Sequence, residues 1–211
     1  MMKYLKNLLF IFLLFSMSIA SANDGTSYAN YYNEAVEFYN LKKYDLAIEA
    51  FNKAIILNPT FPNIYLGKSR ALSRLHKYDL AIETLNKAIE LEPNNPELYG
   101  FKGFILAMLT QYDLSIKAYD KAIILNPNDY GFYDGKAFVL YKLEKYSLAV
   151  EASNKAIELN PNNSDVYYNK SLILEKLGHY KLALEAVNKE LELNHLNYDA
   201  QQLKQELMQK L

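Results

Sequence analysis

A period of 34 residues governs this chain and leaves it little choice of fold. Tyrosine recurs at Tyr31, Tyr65, Tyr99, Tyr133 and Tyr167, and again at Tyr44, Tyr78, Tyr112, Tyr146 and Tyr180. Leucine repeats at Leu46, Leu80, Leu114, Leu148 and Leu182. Proline falls at Pro59, Pro93, Pro127 and Pro161, with His195 in the fifth slot. Columns held in register over five copies mark stacked supersecondary units, none of which can bury its apolar face alone.

Each unit reads as two helices. In the first, Tyr31, Ala35 and Phe38 fall at i, i+4, i+7, and Tyr65, Ser69 and Leu72 repeat that spacing. The second is expected from about Asp45 to Leu57, with Ala47, Phe51, Ala54 and Leu57 on one face. Proline closes these helices at Pro59, Pro93, Pro127 and Pro161, because it cannot continue a helix and biases its predecessor out of helical geometry. Pro62 and Pro96 sit where a first helix begins and a missing N–H does no harm. The columns Ala35, Ser69, Gly103, Ala137, Ser171 and Ala47, Ala81, Ser115, Ala149, Ala183 are small, as a close helix crossing requires. Phe51, Leu85, Tyr119 and Val187 are expected to fill the space around them, with Ser153 in their slot in the fourth unit. No strand pattern competes. A hydrophobic content of 51% is too high for a disordered chain.

The pattern Tyr-x-x-Lys-small-x-x-Leu, Tyr-x-x-Ala-x-x-x-large-x-x-Ala, Pro resembles the tetratricopeptide repeat, over Tyr28 to His195. That resemblance implies an all-α, right-handed α-solenoid of helix-turn-helix repeats, divided 28–61, 62–95, 96–129, 130–163 and 164–195. Here Tyr stands in the family's Trp slot, and Glu34, Lys68, Lys102, Lys136 and Lys170 stand in its Leu slot, where lysine stems can lie over the core. Glu190 and His195 replace the last Ala and Pro of the fifth repeat. Residues 196–211 read as a C-terminal capping helix, with Leu196, Ala200, Leu203, Leu207 and Leu211 expected to cover the end of the array.

Residues 1–22 read as a signal peptide: Lys3 and Lys6, an apolar run from Leu8 to Phe15, then Ala20-Ser21-Ala22 before a short linker at 23–27. The alternative is an uncleaved membrane anchor; after cleavage no membrane span is expected. Both place the rest outside the cytoplasm, periplasmic or secreted. Losing Lys3 and Lys6 leaves 21 basic against 24 acidic residues, a balance that lacks the footprint of a nucleic-acid binder. The absence of cysteine removes disulfides, thiolate metal sites and cysteine nucleophiles together. His76, His179 and His195 share no repeat and no metal spacing, and no phosphate loop or nucleophile elbow occurs. The expectation is no catalytic residue, no metal, no cofactor and no enzyme. Glu49/Lys53, Glu83/Lys87, Glu151/Lys155 and Glu185/Lys189 are i, i+4 pairs expected on a solvated face.

In this family the first helices line a concave surface that binds an extended peptide or a partner helix. Carried over residue by residue, that surface comprises Tyr32, Val36 and Tyr39, then Leu66, Arg70 and Arg74, then Gly100, Phe101, Phe104 and Met108. Asp134, Phe138 and Tyr141 follow, with Tyr168, Leu172 and Glu175 last. Large apolar residues on a wet face suggest a binding site; the alternatives are packing between neighbouring first helices or burial in a homodimer. Arg70 and Arg74 are the only arginines, spaced to hold a ligand carboxylate or, alternatively, to pair with Glu97. Gly67, Gly100 and Gly135 lie inside first helices, and are expected either to open a floor for a ligand or to reflect drift. The family's carboxylate clamp for chaperone tails is missing, with Tyr32, Val36, Glu97 and Phe101 in its slots. The partner expected is therefore another protein or peptide outside the cytoplasm. A self-associating envelope protein and an accessory subunit of an envelope complex are the rivals.

Overall fold

The computed structural model describes residues 27–211, and the proposed signal peptide lies outside them. Among the described residues eleven helices follow one another without a strand. They are α1 (Tyr28–Asn40), α2 (Tyr44–Leu57), α3 (Pro62–Arg74), α4 (Tyr78–Leu91), α5 (Pro96–Met108) and α6 (Tyr112–Leu125). Then come α7 (Tyr130–Lys142), α8 (Tyr146–Leu159), α9 (Ser164–Lys176), α10 (Tyr180–Leu193) and α11 (Tyr198–Gln209). Two compact units result, one ending at Pro93 and the other running from Asn94 to Leu211. In each, a first helix packs on its own second helix, and that second helix packs on the first helix of the following repeat.

The columns explain the helix pairs. Ala35 and Ala47, Ser69 and Ala81, and Gly103 and Ser115 are buried where the two helices of a repeat cross. The approach is close enough for a hydroxyl on one helix to reach the other backbone. Ser69 Oγ donates to the Ala81 carbonyl at 2.7 Å and Ser115 Oγ to the Gly103 carbonyl at 2.6 Å. The tyrosine in the tryptophan slot ties successive repeats together. Tyr65 donates to the Pro59 carbonyl at 2.9 Å, Tyr133 to Pro127 at 3.2 Å and Tyr167 to Pro161 at 3.1 Å. Asn95, Asp129, Asn163 and Asn197 cap α5, α7, α9 and α11 by accepting from backbone N–H groups.

Between the two helices of a repeat the chain turns through a left-handed residue at the same position every time. These are Lys42 (φ 59°), His76 (57°), Thr110 (58°), Glu144 (58°) and Gly178 (75°). The following amide closes the motif, as in Lys43 N–H to the Phe38 carbonyl at 2.8 Å. Only the fifth repeat places glycine there.

Three expectations need correction. At the C-terminus Ala200, Leu203 and Leu207 are buried, but Leu196 and Leu211 remain 68% and 60% exposed. Both lie outside α11, beyond the turns that face α10. The surface lysines turn to the other side: Lys87, Lys155 and Lys189 bond Glu90, Glu158 and Glu192 at i+3, each at 2.8 Å. Finally, the glycines of the first helices open no floor. A side chain on Gly67 would strike the Phe51 ring, one on Gly100 the Phe132 ring, and one on Gly135 the Tyr119 ring at 2.5 Å. Each glycine exists because a buried or half-buried aromatic ring already occupies the place of its Cβ.

Candidate functional site

In the first unit α1 and α3 pack side by side. Tyr32 is half-buried, its ring 6.0 Å from that of Phe51 and 5.7 Å from that of Phe61. Val36 and Tyr39 pack against the same core, and Tyr39 sits edge-on to Tyr44 at 5.5 Å. Leu66, expected on the open face, is buried: beside α1, an aliphatic side chain at this point of α3 gains more by turning inward than by facing water. Arg70 and Arg74 are both exposed. Arg74 Nε donates to the Tyr39 hydroxyl at 3.2 Å, which raises the guanidinium above its ordinary value. This face is thus filled largely by its own tyrosines, with the arginines at its edge.

The second unit is more open. Along α5 and α7, Phe104 is 42% exposed, Met108 38% and Phe138 39%. Phe101 stacks on Phe104 with centroids 6.0 Å apart and planes within 13°. Lys142 Nζ lies over the Phe138 ring at 5.2 Å and the Tyr141 ring at 5.9 Å, so these rings already accept a cation. Tyr141 is half-buried against Tyr146. Further on, Tyr168 and Leu172 are half-buried in the cluster closed by Ala200, Leu203 and Leu207 of α11. Lys210, the residue just after α11, reaches Glu175 at 2.6 Å. The capping helix therefore takes up the face of the fifth repeat. Burial and nearby acids push the Tyr168 phenol up.

Between the aromatic and capped parts lies a polar pair that sequence reading left unconnected. Asn169 Nδ2 donates to Asp134 Oδ1 at 3.2 Å, joining α9 to α7. Asp134 has no ion-pair partner among the described residues, and burial pushes its carboxyl above the usual range. The signal was present as a spacing of 16. Phe51 faces Gly67 and Tyr119 faces Gly135 at that offset. Ser153 is followed by Asn169 at the same offset, small beside large instead of large beside small.

Family models described as tetratricopeptide repeat match residues 29–61, 62–95, 96–129, 130–163 and 152–185. The chain belongs to the tetratricopeptide-repeat family. The last match starts inside α8 and stops at residue 185, so the fifth repeat is found out of register with 164–195. No curated protein sequence matches the chain. Among solved structures, PilW, a widely conserved type IV pilus biogenesis factor, is 18% identical over 87% of this chain and 85% of its own, with a TM-score of 0.79. MamA from Desulfovibrio magneticus is 20% identical over 81% and 97%, with a TM-score of 0.73. YrrB, a tetratricopeptide-repeat protein with an unusual peptide-binding site, is 21% identical over 88% and 96%, with a TM-score of 0.69. At these identities the likeness is one of fold, that of a tetratricopeptide-repeat scaffold. No helix among the described residues is long and apolar enough to cross a membrane.

Proposed function

We propose that this chain is an exported, non-enzymatic interaction scaffold that binds a peptide segment or partner helix of another protein. The site is the α5–α7 face around Phe104 and Phe138, with Phe101, Met108 and Tyr141 at its margins. The observation that carries this reading is the exposure of Phe104, Met108 and Phe138, large apolar side chains that the repeat columns do not require. Aromatic residues exposed as a patch mark interaction surfaces. YrrB's peptide-binding site and PilW's part in pilus biogenesis give the reading precedent in the same fold. On the first unit, Arg70 and Arg74, both exposed, are proposed separately as an anchor for a ligand carboxylate. Export rests on the signal-like residues 1–22 and predicts a mature chain beginning at Asn23.

Photocrosslinking tests the face. A photoreactive phenylalanine analogue replaces Phe104 or Phe138 in the full chain, with Ile124, 75% exposed on α6, as the control position. The expected result is one discrete heterologous product from both test positions and none from Ile124. Products from Ile124 alone would overturn the assignment.

A second reading, self-association, has its own observation. The leucine column is half exposed, from 43% at Leu46 to 51% at Leu80, and gives the second helix of each repeat an exposed apolar residue in the same place. Light scattering on residues 23–211 at high concentration decides this: a homodimer supports it and a monomer removes it.

A further inference from the structure

The polar pair beside the aromatic patch narrows what the face can take. On α7, Asp134 precedes Phe138 by four residues and Tyr141 by seven, so the three share one stripe of the helix. Asn169 from α9 donates to one oxygen of the Asp134 carboxylate, which leaves the group oriented while its charge stays uncompensated. Glu190, the other acid of the second unit with an asparagine donor and no cation among the described residues, is fully buried, whereas Asp134 keeps contact with solvent; two further acids are met by lysines. Asp120 is bridged by Lys136 at 2.6 Å and Glu175 by Lys210 at 2.6 Å. The charge felt most directly by Asp134 is that of Asp165, another carboxylate, exposed in the first turn of α9. Lys142 lies two turns further along α7, about 12 Å away by helix rise, where it is spent on the Phe138 and Tyr141 rings. A half-buried carboxylate that still meets solvent beside an exposed apolar patch is where a cation from outside gains an ion pair and apolar burial together.

We propose that this face takes a peptide segment carrying a lysine or arginine, whose cation sits on the Asp134 carboxylate beside Asn169 while adjacent apolar side chains rest on Phe104 and Phe138. This rests on the functional reading above and supplies its ligand chemistry. The cation reaches a carboxylate that Asn169 already holds in place, and the approach is favoured by the second negative charge at Asp165. Apolar neighbours of the basic residue complete the burial, and the rings next to Asp134 tolerate a cation, as Lys142 shows.

Selection of peptides from a random displayed library on residues 23–211 tests the proposal. Wild-type protein is expected to enrich peptides in which Lys or Arg neighbours apolar residues. Asp134→Asn, which keeps size and hydrogen bonding, is expected to abolish the basic preference and to weaken the selected peptides about tenfold. Phe104→Ala/Phe138→Ala is expected to abolish selection on this face. Peptides without basic enrichment, or a basic preference unchanged in Asp134→Asn, overturn the assignment of the cation site. If such peptides still require Phe104 and Phe138, the aromatic face survives as a binding site. Indifference to both aromatic substitutions, or no selected peptide, overturns both readings.

Discussion

Two successive repeat junctions of the second unit solve the same packing problem in opposite ways. At the first, Tyr119 on α6 is buried and its ring is clamped between two glycines, 2.9 Å from where a side chain on Gly103 would begin and 2.5 Å for Gly135. At the next, the equivalent positions hold Ser153, Ala137 and Asn169. The large residue has left the second helix, and a polar one has appeared on the following first helix. Asn169 then spans to Asp134, while Ser153 Oγ is buried without a hydrogen-bond partner. The first junction is spent on the core. The second trades core volume for a polar feature on the face where the ligand is proposed to lie. On the proposed reading, function in this array comes from where the size pairing is relaxed.

Breaking the first junction has the largest expected effect. Tyr119→Ser removes a buried ring clamped on both sides, with an expected loss of about 3–5 kcal/mol in urea unfolding. Gly135→Asn alone pushes a side chain into that ring. The double substitution copies the second junction onto the first and is expected to recover at least about 1 kcal/mol over the sum of the singles. Strict additivity would show that the two positions do not share a pocket. Gly135→Ala is the milder break. Overpacking costs about 1–3 kcal/mol and exceeds the roughly 1 kcal/mol that alanine gains in helix propensity, so a net loss of stability is expected.

The cap at the far end of the second unit sharpens the comparison by adding a buried acid. Glu190 occupies the family's alanine slot, fully buried, with Asn197 donating to Oε1 at 2.8 Å and Oε2 unpartnered. Burial raises its carboxyl above the ordinary 4.5. Between 4.5 and that raised value the folded state holds more protons than the unfolded one, so this group's contribution falls as pH rises. The difference in stability between wild type and Glu190→Gln is therefore expected to shift in favour of wild type on acidification from neutral pH toward 4.5. Parallel pH profiles would contradict this.

The smallest effect lies in the turns. Thr110 is β-branched and held at φ 58°, where Gly178 of the fifth repeat is relaxed. Thr110→Gly is expected to stabilise by up to about 1 kcal/mol, read as a higher melting temperature. No gain would mean that the threonine side chain contributes contacts that offset its strain.

The helix pairs were legible in the sequence because crossing geometry forces small residues into fixed columns and proline ends each unit. The turns were not, since four of the five left-handed positions carry ordinary residues and only Gly178 gives the conformation away. On the candidate face, Phe104 and Phe138 were readable as apolar residues that no column requires. Leu66, Tyr168 and Leu172 could not be separated from them by spacing. Leu66 is buried beside α1, and the partial burial of Tyr168 and Leu172 depends on α11, whose own sequence says only that it is amphipathic. The Asp134–Asn169 pair joins residues 35 apart, one repeat and one step, and emerges only when α7 and α9 are laid side by side.

The central claim, that the α5–α7 face binds a protein segment, is tested most directly by calorimetric affinity. The partner segment crosslinked from Phe104 and Phe138 is titrated into residues 23–211 and into Phe104→Ala/Phe138→Ala. The account predicts at least a tenfold weaker affinity, about 1.4 kcal/mol, with an unchanged thermal melt. Equal affinity for the two proteins would contradict it.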